Sequence, residues 1–420
     1  MPKIFGIALL ALVLAAASPT PAVAKAPAQS DQIPGGYIVT LKDTAAPEGT
    51  DMNEAVDAAV EQASTLGARV QHVYRYALHG YSASMSPSVA AELADDPRVS
   101  SVEPDRVVHA TAQSTPTGVD RAEADQSPTA DIDGVDDARV DADVAVIDTG
   151  IAPNHPDLNV YRAGGKSCWL SLLPPSDFHG HGTHVAGTIG ALDNGTGVVG
   201  TAPGVRLWPV QVLSPLGSGS TSNVICGIDH VTEHADEIEV ANMSLGGSGT
   251  DDGNCGKTNN DAMHQAICNS VAAGVTYAVA AGNDHADAAK MIPAAYDEVI
   301  TVSALADFDG KPGGLGGATC RSDVDDTFAN FSNYGPDVDL IAPGVCIRST
   351  SSSGGYTTMS GTSMAAPHVA GGAALYLANN PGASPQTVKA SLQAAGGFDW
   401  TWPSQDGDGT KEPLLKLTNF

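Results

Sequence analysis

Positive charge is scarce in this chain. Lysine and arginine together number 20 against 48 aspartates and glutamates, and the formal net charge is −28. A surface so balanced repels phosphate backbones and anionic headgroups, which excludes nucleic acid and membrane surfaces as expected partners. Long apolar runs are missing beyond the first residues, so no later segment is expected to cross a bilayer. Cysteine is absent before Cys168, and no C-x-x-C occurs. That removes support for a structural zinc site and for thioredoxin-like redox chemistry.

At the start, Met1-Pro2-Lys3 precedes an apolar run from Ile4 to Ala17, and Ala22-Val23-Ala24 is a small-x-small cleavage pattern. This order predicts a secretory signal peptide over 1–24 and a secreted, extracellular product. The run is shorter than the about 20 residues that a spanning anchor needs. The six cysteines are Cys168, Cys226, Cys255, Cys268, Cys320 and Cys346, and an even count in an exported chain predicts disulfides. About 15 connectivities are possible. Proximity favours Cys255 with Cys268 and Cys320 with Cys346, leaving Cys168 with Cys226, but the sequence does not choose. The acid excess is mostly aspartate. Solubility alone explains it most simply, while calcium-binding or turn-forming loops and adaptation to a salty medium remain open.

A linker is expected over 25–35, followed by a β-rich run from Gly36 to Lys42. Met52 to Leu66 has helical spacing and stops at Gly67. Arg69 to Met85 reads as two strands broken at His79-Gly80. Pro87 opens a short helix to Ala94, and Val99 to Val108 is a last strand. This βαββαβ order predicts a small α+β, ferredoxin-like unit over 36–110, without a catalytic constellation. Thr111 to Asp143 is rich in Asp, Thr, Pro and Gly and reads as an exposed entry segment. From Ala142 strands alternate with helices, with buried strands at Val144 to Ile147, Leu207 to Leu213, Ile238 to Met243, Val275 to Ala280 and Val299 to Ala304. The expectation for 111–420 is an α/β domain: a mainly parallel twisted sheet with helices on both faces.

Three stretches carry chemistry: Val146-Ile147-Asp148-Thr149-Gly150, His181 to Gly187, and Gly361 to His368. Each sets one member of an acid–base–nucleophile group among small residues, in the order Asp, His, Ser. Chain order separates the unrelated folds on which such a set performs acyl transfer. Ser363 precedes an Ala-rich helix, whose first N–H groups favour developing negative charge. Alone it would read as readily as an N-cap serine. His181 has an imidazole suited to take and return a proton near neutral pH, and Asp148 ends an apolar strand, placed to hold that imidazole in one tautomer.

From Val144 to its end the chain resembles the subtilisin-like serine proteases (subtilases, peptidase family S8). The resemblance rests on those stretches with His155-Pro156-Asp157-Leu158, Ser244-Leu245-Gly246-Gly247 and Ala280-Ala281-Gly282-Asn283. It implies Asp148, His181 and Ser363 as the catalytic set and Asn283 as the oxyanion-hole side chain. Ser244, Leu245 and Gly246 would pair with extended substrate. Gly282 would wall a specificity pocket that Met291 and Ile292 also touch, favouring large apolar side chains. A structural calcium ion is implied, held by Asp157, Asn194 and the carbonyls of Leu192, Thr196 and Val198. The family's N-terminal ligand finds no clear match in Thr111 to Asp143. Residues 36–110 resemble the family's inhibitor propeptide, which implies folding assistance, inhibition, and self-cleavage between Ala110 and Gln113. The whole reads as a secreted, monomeric serine endopeptidase whose partners are polypeptide substrates and its own propeptide. A competing reading takes Asp177, His179, His181 and His184 as metallohydrolase ligands, and leaves Ser363, Asn283 and Asp148 without roles.

Overall fold

The computed structural model describes residues 32–47, 49–106, 113–401 and 406–420, and the chain divides into two compact units after His109. The expected signal segment, and residues 110–112 of the expected cleavage stretch, lie outside the described residues. No described helix is long and apolar enough to cross a membrane.

The first unit contains β1 (Gln32–Leu41), α1 (Met52–Thr65), β2 (Arg69–Tyr74), β3 (Gly80–Ser84), α2 (Pro87–Ala94) and β4 (Val99–Arg106). Its sheet has the order β2-β3-β1-β4, with every pairing antiparallel. The helix starts follow from local chemistry. Asp51 and Ser86 accept backbone N–H groups of the first turns of α1 and α2, and Pro87 stands where a missing N–H costs nothing. One face of the sheet packs Val39, Leu41, Tyr81 and Ala83 against Val56, Ala59 and Leu93 of the helices. Strand β1 begins at Gln32, inside the stretch read as linker, because Gln32 pairs with Arg106 across a register shift.

The second unit runs α3 (Thr117–Arg121), β5 (Asp143–Asp148), β6 (Lys166–Ser167), α4 (His181–Gly190), β7 (Arg206–Gln211), α5 (Thr221–Glu233), β8 (Val240–Met243), β9 (Gly247–Ser248), α6 (Ala262–Ala272), β10 (Thr276–Ala280), β11 (Met291–Ile292) and β12 (Ile300–Ala306). It continues with β13 (Thr327–Phe328), β14 (Leu340–Pro343), β15 (Ile347–Thr350), β16 (Tyr356–Met359), α7 (Thr362–Asn379) and α8 (Pro385–Ala395). The main sheet has the order β13-β12-β10-β8-β5-β7-β6, with β14 also on β12. All its pairings are parallel except β12 with β13.

Alternation along β5 sets the layers. Val144 and Val146 pack on one face with α4 and α7, while Ala145 and Ile147 pack on the other with α5 and α6. Each fully buried Val or Ile contributes about 1.5–3 kcal/mol of transfer free energy. The strand order reverses at β5, since β7 lies on one side of it and β8 on the other. Crevices at the carboxyl ends of strands near such a reversal are where open α/β sheets bind ligands. Disulfides join Cys168 to Cys226, Cys255 to Cys268 and Cys320 to Cys346.

The entry segment is not the exposed stretch expected. Val119, Ala122, Ala124, Ala130 and Val140 belong to the core. Arg121 is buried, with Nε 2.9 Å from Asp326 Oδ1 and 3.1 Å from Asp307 Oδ2. The buried guanidinium neutralises part of an aspartate group that folding brings in from distant sequence, and this outweighs the polar composition.

Candidate active site

Asp148 ends β5 and is fully buried, while His181 opens α4 with 20% of its side chain exposed. His181 Nδ1 lies 2.8 and 2.9 Å from the two Asp148 oxygens. The acid is sealed from water and the base is not, as a proton acceptor for substrate chemistry requires. Gly182 permits this approach, since a Cβ there would come 2.2 Å from the Gly150 carbonyl oxygen. Helix α4 begins at His181, and Asp177 holds its first turn. Asp177 Oδ1 accepts the N–H groups of His179 and Gly180 and the Thr149 hydroxyl, and Oδ2 accepts Thr183 N–H and Oγ1–H.

Desolvation pulls the His181 pKa down. The Asp148 charge and hydrogen bond, with Asp177 behind them, outweigh it and hold the imidazole above its ordinary value.

Ser363 is the second residue of α7, so its N–H is one of the unpaired donors of a helix start. Pro367 lies within α7 and has no N–H to give the Ser363 carbonyl. Ser244 Oγ takes that place, donating to Ser363 O at 2.9 Å, and Ser363 Oγ donates to Ser244 O at 3.4 Å. No hydrogen bond joins Ser363 to His181 among the described residues. Asn283 lies after β10. Its Oδ1 accepts Thr362 N–H at 2.8 Å and the Thr362 hydroxyl at 3.1 Å, which fixes the amide, and Nδ2 makes no hydrogen bond among the described residues. Gly282 has φ +107°, and a Cβ there would meet Asn333 Nδ2 at 2.3 Å. Asn333 braces this turn, donating to Ala281 O and accepting from the N–H groups of Asp284 and Ala286.

Two cavities meet along Ser244, Leu245 and Gly246. One, of about 620 Å³, is lined by His181, Thr149, Leu213 and Ile292 with those three residues. The other, of about 270 Å³, contains Ser363, Asn283, Gly282, Ala280 and Met291 beside the same three. The backbone N–H and C=O groups of Leu245 and Gly246 make no hydrogen bond among the described residues, while Gly247 and Ser248 pair with β11. A short unpaired edge thus separates the His181 side from the Ser363 side, and an extended peptide could add to it. Met291 lies between Gly246 and Gly282, and Ile292 lines the larger cavity.

The metallohydrolase reading fails on geometry. The Asp177 oxygens are occupied by α4 donors, His181 Nδ1 faces Asp148, and His184 Nε2 donates to the Ile347 carbonyl at 3.0 Å. Asp177, His179, His181 and His184 do not converge on a common point.

The expected cation loop is ordered around Asp157, which is buried. Asn194 Nδ2 donates to its Oδ1 at 2.8 Å, and Val198 N–H to its Oδ2 at 3.2 Å. Burial pushes the Asp157 carboxyl up, against the pull of the Val198 N–H, the Tyr356 hydroxyl and Asn194. The carbonyls of Gly195 and Gly197 accept Gln113 and Ser114 N–H groups, while those of Leu192, Thr196 and Val198 accept no hydrogen bond among the described residues. Gln113, from the segment where no ligand could be matched, reaches this loop. Its Oε1 accepts the N–H groups of Asn194 and Gly195.

Residues 141–409 match the Subtilase family, and residues 36–111 match Peptidase inhibitor I9. The chain belongs to the subtilase family. It is a serine endopeptidase of that family with an inhibitor-type propeptide unit ahead of the catalytic one. It is 39% identical over 386 residues to the extracellular serine proteinase of Thermus sp. (strain Rt41A), covering 86% of this chain and 85% of that protein. It is 36% identical over 348 residues to subtilisin E of Bacillus subtilis (strain 168), covering 82% and 81%. A crystal structure of a cold adapted subtilisin-like serine proteinase aligns with TM-score 0.53 and 34% identity, over 75% of this chain and 93% of that one. Sequence reasoning missed the bracing roles of three residues at this subtilase's site: Asp177, read only as a metal ligand, Asn333 and Gln113. For the first, an Asp four residues before the start of α4 was the local signal. The other two act across long sequence separations and left none.

Proposed function

We propose that the subtilase cleaves polypeptides through an acyl-enzyme on Ser363. The observation that carries this reading is the meeting of the Asp148–His181 pair with Asn283 and Ser363, which line one cavity, along one unpaired strand edge. The substrate backbone adds to Ser244–Gly246. Ser363 Oγ bonds to the scissile carbonyl carbon as its proton passes to His181 Nε2, the nitrogen not committed to Asp148. Negative charge moves onto the carbonyl oxygen, facing Asn283 Nδ2 and the Ser363 N–H. The C–N bond then breaks, with His181 returning the proton to the leaving amine. Water repeats the sequence and releases the acid. Mixing the mature enzyme with an activated ester should release one equivalent of alcohol in a burst before the steady state. A linear trace with no burst, under conditions where deacylation is slow, would remove the covalent step.

Asn283→Ala should lower kcat by about 10²–10³ with KM little changed, because the lost donor acts only on the developing oxyanion. Steady-state kinetics on one peptide decide this, and a loss confined to KM contradicts the assignment.

Specificity rests on the smaller cavity. Small walls at Ala280 and Gly282, with the pliable Met291, suit large apolar side chains. Peptide-library profiling should place Phe, Leu or Met before the cut, and a preference for charged residues there counts against this pocket.

Calcium fits the Asp157 loop. The donor set is oxygen-only: the buried Asp157 carboxylate, the carbonyls of Leu192, Thr196 and Val198, which accept no hydrogen bond among the described residues, and the Asn194 amide oxygen, which accepts the Thr196 N–H and hydroxyl here and would turn to the ion. The ion would brace the loop and offset the burial of Asp157. Saturating calcium should raise Tm by roughly 5–10 °C over chelated protein, and Asp157→Asn should abolish that difference. Equal calcium dependence in the variant contradicts the ligand set.

Secretion, a monomeric state and release of the 36–110 unit by self-cleavage complete the proposal. They are supported by the start of the sequence, by the I9 match, and by a relative named as an extracellular proteinase.

A further inference from the structure

The end of α5 gathers three potential metal ligands. His230, Glu233 and the following cap residue His234 share one helix face, and one ligand atom from each lies within 4.8 Å of the others. The imidazoles are held in defined tautomers. His230 Nε2 donates to the Gly164 carbonyl at 2.9 Å, and His234 Nδ1 donates to the His230 carbonyl at 2.8 Å. A neutral imidazole has one N–H and one lone pair, so His230 Nδ1 and His234 Nε2 are left as acceptors. Neither makes a hydrogen bond among the described residues. Giving the second ring N–H to a backbone carbonyl is the outer arrangement typical of metal-bound histidine. The two rings lie 4.5 Å apart, and the buried Trp208 ring stands 5.2 Å from His234 and 6.4 Å from His230. None of the three lines the cleft.

We propose that His230, Glu233 and His234 form a site for a divalent transition-metal ion, with zinc as the reference occupant. Two imidazole nitrogens and a carboxylate suit zinc or copper(II), whereas calcium and magnesium require oxygen shells. Tetrahedral donors around zinc stand about 3.4 Å apart. The three ligand atoms, within 4.8 Å of one another, draw in by side-chain rotation, for which the exposed Glu233 has room, and water takes the fourth position. The bound ion clamps the last turn of α5, through His230, to the Gly164 segment. The same helix carries Cys226, already joined to Cys168.

The test uses the mature, calcium-saturated protein, titrated with zinc chloride by calorimetry. One equivalent should bind in the micromolar range or tighter and raise Tm, and His234→Gln should weaken binding at least tenfold. A second measurement needs no variant. Copper(II) should quench part of the tryptophan emission, from Trp208, and show two-nitrogen hyperfine structure by electron paramagnetic resonance. No zinc binding below millimolar concentration, equal affinity in His234→Gln, or a copper spectrum without nitrogen couplings would each overturn the proposal.

Discussion

Ser363→Ala should lower kcat/KM toward peptides by about six orders of magnitude and leave the chain unprocessed, still carrying residues 36–110. The size follows from the division of labour at the site. Without Oγ there is no atom to bond to the carbonyl carbon, and His181 has no proton to take. What remains is the Asn283 amide and the helix start, which can polarise a carbonyl but cannot open a covalent route. Ser363 is half-buried at the start of α7, and its carbonyl stays held by Ser244, so the fold should survive the change. The variant thus separates catalysis from stability. Intact mass and N-terminal sequencing read the processing. A variant that matures normally, with no helper protease present, contradicts self-cleavage even if its activity on peptides is gone.

Asp148→Asn should cost about 10⁴ in kcat and move the acid limb of the pH profile. His181 accepts a proton only when neutral, so activity falls as pH drops through its pKa. That pKa is held above the ordinary value because Asp148 and Asp177 outweigh burial, which places the wild-type acid limb above about pH 6.5. Removing the Asp148 charge leaves desolvation less opposed. The limb should therefore shift to lower pH while the plateau collapses. Kinetics of both proteins across pH 5 to 10 check the sign, and an unmoved or upward-shifted limb in the variant contradicts the electrostatic account.

Much of this was legible because its signals are local. The period-two pattern at Val144 to Ile147 fixes both a strand and its two buried faces, and the run of small residues after Ser363 fixes a helix that neighbours can approach closely. Glycines mark the tight approaches at Gly182 and Gly282. The βαββαβ order of the first unit was readable for the same reason, with Asp51 and Ser86 opening its helices. What stayed hidden acts across the chain. Arg121 finds Asp326 over 205 residues, so an Asp-rich segment that looked exposed is anchored in the core. Gln113 meets Asn194 over 81 residues, a contact that no local pattern in its segment announces. The tie between Ser244 and Ser363 spans 119 residues. It depends on Pro367 lacking an N–H, a feature whose partner only the packed sheet supplies.

The most direct measurement is labelling of the mature protein with a fluorophosphonate, followed by peptide mapping. The account predicts one phosphonyl group per chain, on Ser363, with activity lost in proportion and labelling sharply slowed in His181→Ala. An active, unlabelled protein, or one labelled elsewhere while activity persists, would contradict it.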